Sequence, residues 1–246
     1  QIFDPVTSTT FIGNIDILPT KILNYDLRWE LFQEDAQMYA ISLFYKDFTN
    51  PIELVVYNGA SPNDFTPKNV DEAKVYGIEL EFRKNLEFIS ESLSNFKLTF
   101  NTSIIRSEEI MDEKEYEGRT KSARSGEVVS RKRELQGQSP YLINLGLNYN
   151  SINNNFEGSL NYNVQGKTLQ IVGVNYVPDI YTEPFNSLNL NFNYKFGRTD
   201  NLKLGLGIKN LLDEKIESYY YTNDIKSIYS SLSPRREFKL SLGINF

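Results

Sequence analysis

Two stretches of this 246-residue sequence carry side chains that could bind a ligand. In the first, the acidic segment 108–117 (EEIMDEKEYE) precedes the basic segment 119–133 (RTKSARSGEVVSRKR), which ends in Arg131, Lys132 and Arg133. These three adjacent cations predict contacts with an anionic ligand, because guanidinium and ammonium groups form charge-assisted hydrogen bonds with anionic oxygens. The opposite charges of the two segments leave an alternative interpretation, which is a solvated loop that neutralises itself.

The second stretch is ESYYYTND (217–224), which places Tyr219, Tyr220 and Tyr221 side by side. Tyrosine rings combine a large apolar face with a polar tip, so they can pack against sugar rings, a ferric chelate or the apolar surface of a partner. Such rings could also line an aromatic belt at a membrane interface. The sequence therefore predicts a ligand or partner contact here and keeps the belt as its alternative.

Composition excludes most enzymatic chemistry. The sequence contains no His and no Cys, which excludes a His-assisted nucleophile, a Cys nucleophile and a Cys/His zinc site. The Asp and Glu residues are scattered and show no EF-hand calcium spacing. A net charge of −6 argues against nucleic-acid binding, which usually requires a basic face. We therefore expect a protein that is not an enzyme, has no cofactor and binds no nucleic acid.

Nine segments alternate between apolar and polar residues with a period of two, which predicts β-strands whose successive side chains lie on opposite faces. Their apolar face carries no charge and is interrupted only by Thr102 and Gly158, while the other face is rich in Asn, Ser, Gly and charged residues. The apolar positions are Leu23, Tyr25, Leu27, Trp29, Leu31; Tyr39, Ile41, Leu43, Tyr45; Tyr76, Ile78, Leu80, Phe82; Phe96, Leu98, Phe100, Ile104; Tyr141, Ile143, Leu145, Leu147, Tyr149; Phe156, Leu160, Tyr162, Val164; Leu188, Leu190, Phe192, Tyr194, Phe196; Leu202, Leu204, Leu206, Ile208; and Phe238, Leu240, Leu242, Ile244, Phe246.

Alternation alone is also typical of a soluble β-sandwich, and the connections favour a membrane barrel instead. The links alternate between short (33–37, 84–95, 150–155, 197–201) and long (49–72, 107–140, 165–187, 212–235). Outer-membrane barrels show this rhythm of tight periplasmic turns and long extracellular loops. Aromatic residues near strand ends, such as Tyr141, Tyr149, Tyr194, Phe196 and Phe246, agree with belts at the two interfaces. In that setting the cations at 131–133 could also bind lipopolysaccharide phosphates.

The last segment predicts the direction of the strands. Phe238, Leu240, Leu242, Ile244 and Phe246 form a strand that can end at the periplasmic rim, and its terminal aromatic residue resembles the signal read by the barrel-assembly machinery. The short links then lie on the periplasmic side and the long links outside the cell. Single-chain bacterial barrels use even strand numbers, so nine strands predict the C-terminal part of a larger barrel whose missing strands are N-terminal.

Five stretches resemble the TonB-dependent outer-membrane receptors, which are plugged barrels of 22 strands. The similar stretches are NYDLRWELF (24–32), YGIELEFRKNL (76–86), LQGQSPYLINLGLNY (135–149), LGIKNLLDEK (206–215) and FKLSLGINF (238–246). Leu212 replaces the usual Phe of the fourth stretch, and Ile216 lies near the usual Tyr. The resemblance implies an all-β transmembrane antiparallel up-and-down barrel over residues 1–246, located in the bacterial outer membrane.

The resemblance also implies active import of a bulky solute, with TonB contacted through an N-terminal region outside this chain. The implied partners are outer-membrane lipid and lipopolysaccharide, the barrel-assembly machinery and a surface lipoprotein. Three alternatives remain, namely a passive porin, an outer-membrane protease or acylase, and a barrel that serves as scaffold for a surface lipoprotein or secretion complex. The absence of His argues against the enzyme.

The polar face of the predicted wall has two possible roles. In a plugged barrel this face contacts the plug and trapped water, so its side chains either hold the plug or touch the solute. The positions singled out are Asp26, Arg28, Glu30, Glu79, Glu81, Arg83, Asn189, Asn191 and Asn193.

Overall fold

The computed structural model describes residues 1–5, 8–57, 63–175, 177–197 and 201–244, so Phe246 lies outside the described residues. In chain order the strands are β1 (Ile2–Asp4), β2 (Thr9–Phe11), β3 (Lys21–Gln33), β4 (Gln37–Thr49), β5 (Ile52–Val56), β6 (Asp64–Asn69), β7 (Glu72–Asn85), β8 (Phe96–Ile110), β9 (Lys132–Arg133), β10 (Tyr141–Asn150), β11 (Phe156–Gln165), β12 (Thr168–Ile171), β13 (Ile180–Thr182), β14 (Phe185–Phe196), β15 (Leu202–Lys209), β16 (Ile216–Thr222), β17 (Ile225–Leu232) and β18 (Glu237–Ile244). Helix α1 spans Glu113–Ser122, and short 3₁₀ turns span Glu34–Ala36, Leu86–Phe88 and Glu91–Leu93.

Nine long strands form one antiparallel sheet, which we call the wall. Its order is β3-β4-β7-β8-β10-β11-β14-β15-β18, so each strand pairs with the next wall strand along the chain. Every wall strand coincides with one of the nine predicted segments, and the prediction of an up-and-down antiparallel sheet is confirmed. Within the described residues β3 and β18 each pair on one side only, so the wall is an open part of a barrel.

The apolar face of the wall is exposed. On strands with neighbours on both sides, Leu43 is 49 % exposed, Ile104 56 % and Leu145 41 %, although a soluble sandwich would bury such residues. A contiguous apolar surface of this size is stable only against another apolar phase. The observed exposure therefore fits the lipid-facing surface of a membrane barrel and contradicts the sandwich alternative.

Aromatic rings cluster at the short-link end of the wall. Ring centroids are 4.8 Å apart for Phe96 and Tyr149, 5.8 Å for Tyr149 and Phe156, and 5.9 Å for Phe156 and Phe192. These rings join strands β8, β10, β11 and β14 across the sheet. Aromatic side chains prefer the interface between hydrocarbon and headgroups, so this row agrees with the predicted periplasmic belt.

The four long links do not remain as loops, but fold together with residues 1–21 into what we call the loop layer. One sheet has the order β1-β2-β6-β5 and the other β12-β13-β16-β17. A parallel bridge between Val55 and Val172 joins them, with the amide of Val56 donating to the carbonyl of Val172 at 3.1 Å.

Most of the buried apolar side chains of the described residues belong to this layer rather than to the wall. One cluster contains Val56, Phe65, Ile171 and Ile180, and a second contains Val55, Leu169 and Val172. Both clusters combine residues of the link 49–72 with residues of the link 165–187. The two links therefore share a core, which makes the layer one packed unit.

Helix α1 begins where the side chain of Asp112 accepts a hydrogen bond from the amide of Glu115 at 2.8 Å. This N-cap satisfies one of the free amides of the first turn. Among the described residues no helix is long and apolar enough to cross a membrane.

Candidate functional site

Arg133 lies inside the loop layer, where its side chain is fully buried. Its Nη2 donates to Glu53 Oε2 at 2.6 Å and to Glu109 Oε1 at 2.8 Å, and its Nε donates to Glu115. We call these four residues the buried quartet. The structure thus places Arg133, predicted to contact a ligand, where three carboxylates occupy its guanidinium and the layer covers it.

Arg131 and Lys132 remain exposed and are also paired. Arg131 makes two hydrogen bonds with Glu113 at 2.9 and 3.2 Å, and its guanidinium lies 4.4 Å from the ring centre of Tyr116. Lys132 Nζ donates to Glu108 Oε2 at 2.8 Å. The basic segment thus pairs with the acidic segment, as the self-neutralising alternative described.

The quartet holds three carboxyl groups against one guanidinium, which predicts a retained proton. Burial raises the pKa of Glu109 to about 9, although Arg133 lowers it. Glu109 lies beyond Ile104, the last residue of β8 that pairs with β10, so it is outside the membrane-crossing part of the strand. Burial also raises the pKa of Glu115. At neutral pH the raised pKa favours the protonated form of Glu109, which reduces the repulsion among the carboxylates.

This retained proton predicts how the loop layer responds to alkaline pH. A carboxyl group with a raised pKa binds its proton more tightly in the folded layer than in the opened one. The resulting stabilisation is complete below the ordinary pKa of 4.5 and is lost as the pH rises toward 9. We expect amides of β5 and α1 to exchange hydrogen through opening more readily at about pH 10 than at pH 7, after correction for intrinsic rates.

Glu109→Gln should remove this pH dependence, because an amide has no proton to release in this range. Glu108→Gln, at the adjacent and partly exposed position, should keep it and is the matched control. Equal alkaline opening in wild type and Glu109→Gln would contradict the assignment of the proton to Glu109.

The three tyrosines at 219–221 do not form one surface. Tyr220 packs against the cluster of Val56, Phe65, Ile171 and Ile180, as strand alternation requires of the middle residue. Tyr219 and Tyr221 lie on the other face with ring centres 5.6 Å apart, and Tyr219 is 6.2 Å from Tyr181 of β13. Of the three tyrosines predicted to contact a ligand or partner, Tyr220 packs inside the layer, and Tyr219 and Tyr221 line a cleft.

This cleft, which we call the tyrosine cleft, has a volume of about 290 Å³ and lies among α1, the chain that follows it, β13 and β16. The charged residues that line it are four cations and two carboxylates, for a formal charge of +2; they are Arg119, Arg124, Lys132, Lys167, Glu127 and Asp179. Its aromatic walls are Tyr181, Tyr219 and Tyr221.

Contacts within the cleft hold its rings and cations in fixed positions. The guanidinium of Arg124 lies 4.9 Å from the ring centre of Tyr221, and Lys167 Nζ lies 4.1 Å from that of Tyr181. These distances allow cation–π attraction. Burial raises the pKa of Tyr219 to about 12, so its hydroxyl keeps its proton at neutral pH.

Arg119 connects two of the long links at the base of the cleft. Its Nε lies 2.7 Å from Asp179 Oδ2, and it donates a hydrogen bond to the hydroxyl of Tyr181. Asp179 also accepts from the amide of Gly173 at 2.9 Å. Burial raises the pKa of Asp179, and Arg119 lowers it. The cleft can therefore bind a group that combines negative charge with a flat or ring-shaped surface.

Sequence reasoning did not single out Arg119, Arg124, Lys167 or Tyr181. The two arginines lie in the basic segment 119–133, so the sequence indicated their positive charge. It did not indicate that they line a cleft. Lys167 and Tyr181 stand alone in a long link and give no local pattern. The cleft brings these residues to Lys132, Tyr219 and Tyr221, and it does not include Arg131, Arg133 or Tyr220.

The polar face of the wall forms ion pairs near β3 and amide contacts toward β14. Arg28 donates to Glu81 at 3.0 Å and to Ser42 at 2.9 Å. Asn144 donates to Asn101, and Asn163 donates to Asn144. This face therefore combines ion pairs near β3 with side-chain amide contacts across β8, β10 and β11, and a further pair joins Lys195 and Glu157 at 3.6 Å.

Comparison with known proteins agrees with this architecture. The profile of the family described as TonB dependent receptor-like, beta-barrel matches residues 1–211. No curated protein sequence gives a significant match.

Solved structures resemble the chain at low sequence identity. The ferric citrate transporter FecA in its unliganded form is 16 % identical, with a TM-score of 0.60 over 91 % of this chain and 31 % of that one. A variant of the ferric enterobactin receptor PfeA from Pseudomonas aeruginosa, in complex with enterobactin, is 17 % identical, with a TM-score of 0.57 over 96 % and 33 %. The copper transporter OprC is 20 % identical, with a TM-score of 0.60 over 94 % and 31 %.

The chain spans about a third of the length of these structures. At such identities the likeness establishes the fold, and the profile establishes the family. Together with the exposed apolar face of the wall, they show that the chain belongs to the TonB-dependent receptor family as part of its β-barrel and lies in the outer membrane.

Proposed function

We propose that the protein containing this chain is an active importer that binds a bulky solute at the cell surface and moves it across the outer membrane with energy coupled through TonB. The tyrosine cleft in the loop layer is the observation that carries the receptor role. Family membership supports the coupling, since TonB would act through a plug and an N-terminal segment outside this chain. The solved relatives are described as transporters or receptors of ferric citrate, ferric enterobactin and copper, which makes a bound solute the expected cargo.

Within this proposal the cleft makes the first contact with the solute. Tyr219 and Tyr221 provide ring surfaces, and Arg124 and Lys167 provide positive charge. Arg131 and Lys132 remain candidate contacts at the surface, where an anionic solute would compete with Glu113 and Glu108. Tyr220 and Arg133 act indirectly, by holding the layer that supports the cleft.

The other partners proposed for this protein follow from the wall. Outer-membrane lipid covers the apolar face, and lipopolysaccharide meets its outer rim. Phe238, Leu240, Leu242 and Ile244 lie 53–74 % exposed on β18, a strand that the barrel-assembly machinery could engage. A surface lipoprotein would contact the loop layer.

Uptake by a deletion strain that carries the complete receptor on a plasmid tests the proposal. We expect growth on the limiting solute to require both the receptor and TonB. Growth that continues without TonB would indicate a passive porin, and turnover of the solute by purified receptor would indicate an enzyme. Either result would overturn the proposal.

If the cleft binds the solute, removing one of its rings and one of its cations should weaken solute binding. Because stacked rings and a charge-assisted contact both disappear, Tyr219→Ala combined with Arg124→Ala should weaken solute binding by about 10- to 100-fold. Binding is measured on the purified receptor by titration with the solute identified in the growth assay. Tyr57→Ala is the matched control, because Tyr57 is an exposed tyrosine of the same layer outside the cleft. Equal losses in both variants would show that the cleft is not the site.

A further inference from the structure

A recess of about 500 Å³, which we call the acidic recess, lies where β7 begins, β8 ends and α1 starts. It is separate from the tyrosine cleft, because no residue lines both. Its charged lining consists of five carboxyl groups and one ammonium group, for a formal charge of −4; the residues are Asp71, Glu72, Glu109, Asp112, Glu115 and Lys68. The volume is in the range of small-molecule sites. The recess therefore combines space with negative charge.

The carboxyl groups of the recess outnumber the cations that pair with them. Lys68 is paired with Asp112. Arg133 serves all three carboxyl groups of the buried quartet, two of which line the recess. Asp71 and Glu72 are exposed and form no ion pair in the described part of the chain. Two carboxylates at the mouth of the recess are therefore available to a ligand.

Cations around the recess do not cancel its charge. Arg131 and Lys132 are paired with glutamates outside the recess. Lys74 stands opposite Asp47 by register. Counting Lys114 of the first turn of α1 as well leaves a net negative charge. The recess therefore attracts cations.

Glu109 supplies a buried acceptor at this site. The residue is 2 % exposed, and its Oε1 accepts from Arg133 at 2.8 Å. Its Oε2 receives no hydrogen bond from the described residues. A buried carboxylate oxygen without a donor is costly, so without a ligand the layer favours a proton on this group. Because Glu109 lines both the quartet and the recess, a donor that enters the recess is the available partner for Oε2.

The arrangement of the carboxyl groups favours an organic cation over a metal ion. Within the described residues no group of three acidic side chains is arranged to hold a metal ion. A calcium ion takes about six to eight oxygen ligands around one point. A chain with several ammonium groups can instead reach carboxylates of separate elements, because each ammonium group carries its own N–H donors.

We propose that the acidic recess binds a polyamine, with one ammonium group donating to Glu109 Oε2 and a second ammonium group contacting Asp71 and Glu72. The bound amine replaces the proton on Glu109 and holds β8 and α1 together, so it stabilises the loop layer by mass action. The polyamine is a structural ligand of the layer. It is distinct from the imported solute, because the tyrosine cleft carries the opposite charge.

Isothermal titration of the complete receptor with spermidine, in mild detergent and free of lipopolysaccharide, tests the proposal. At pH 8.5 Glu109→Gln should weaken binding by about 10- to 100-fold, because a charge-assisted hydrogen bond is lost. At pH 6.5 the proton on Glu109, whose pKa burial raises to about 9, competes with the ammonium group. Wild type should then bind about as weakly as Glu109→Gln.

The comparison of the two pH values isolates Glu109 from its neighbours. The charged groups that face Glu109 from the packed elements or across the recess are Glu53 of β5, Arg133 of β9, Glu115 of α1, Lys68, Asp71, Glu72 and Asp112. All of them are present in wild type and in Glu109→Gln alike. A difference in binding between the two proteins that appears only at pH 8.5 therefore reports the carboxyl group of Glu109.

A second variant tests the mouth of the recess without touching the quartet. Asp71→Asn combined with Glu72→Gln removes two exposed carboxylates and should weaken spermidine binding at pH 8.5 by about tenfold. Asp213→Asn combined with Glu214→Gln is the matched control, because it changes an Asp–Glu pair of another long link that does not line the recess. The control should stay within about twofold of wild type.

Three results would overturn the proposal. The first is equal spermidine binding by wild type and Glu109→Gln at pH 8.5, and the second is an equal loss in the two double variants. The third is full displacement of spermidine by an equal concentration of magnesium, which would identify unspecific attraction of counter-ions. Growth on the imported solute is measured separately, so a failure of the importer role would leave these results unchanged.

Discussion

Arg133→Met is expected to open the loop layer while leaving the wall folded. The substitution keeps most of the side-chain volume and removes the charge that Glu53, Glu109 and Glu115 share. Removing one partner of a buried ion pair usually costs about 3–5 kcal/mol, because the remaining charges stay buried without compensation. We expect a loss of this size in the free energy of opening for the layer.

Hydrogen exchange of the native receptor measures that free energy segment by segment. Protection should fall in β5 and α1, which carry Glu53 and Glu115, and remain unchanged in β10, β11 and β14 of the wall. Arg131→Met is the matched control, since it removes an exposed arginine two residues away whose ion pair is solvated. Similar protection in the two variants would contradict a stabilising role for the quartet.

The quartet joins residues that are far apart in the sequence. Arg133 lies 80 residues from Glu53, 24 from Glu109 and 18 from Glu115. Ser125 adds a link to another hairpin, since its hydroxyl donates to Asp224 at 2.6 Å. Because the link 107–140 contacts three other long links, we expect Arg133→Met to alter solute binding at the tyrosine cleft, although Arg133 does not line it.

Leu160→Arg is expected to destabilise the wall by about 2–4 kcal/mol, because an arginine on the lipid face near the middle of the membrane must be taken out of water. Leu160 lies near the centre of β11, between Leu147 and Leu190 on the neighbouring strands. Reversible unfolding of the receptor from lipid vesicles in guanidinium measures the change as a shift in midpoint.

The adjacent residue supplies the control. Asn161 lies on the polar face of the same strand, opposite Gly146 and Asn189. Asn161→Arg introduces the same side chain one position along, so it should shift the unfolding midpoint much less. Equal shifts for the two variants would mean that the apolar face does not meet lipid.

Much of the wall could be predicted from the sequence. A strand places successive side chains on opposite faces through local geometry alone, so the apolar positions from Leu23 to Ile244 revealed nine strands. The alternation of short and long links then predicted an antiparallel order, because short links join only neighbouring strands. Arg28 and Glu81, predicted on the polar face, indeed pair there.

The loop layer could not be predicted in the same way. The long links carry few alternating residues, and their strands β5, β6, β12, β13, β16 and β17 are stabilised mainly by pairing with one another. Arg131, Lys132 and Arg133 are adjacent in sequence and chemically alike, yet one is buried and two are exposed. The three adjacent tyrosines also differ in role. Tyr220 packs against the apolar cluster of the layer, whereas Tyr219 and Tyr221 lie on the opposite face of the strand and line the cleft.

The sequence by itself determined a membrane-facing β-wall of nine strands and its family, because those properties depend on periodicity and on the order of links along the chain. Only the tertiary structure decided which charges are buried and which tyrosines line the cleft. These properties depend on strand register and on contacts between residues far apart in sequence. No short stretch of the chain contains both partners of such a contact, so no local pattern can reveal it.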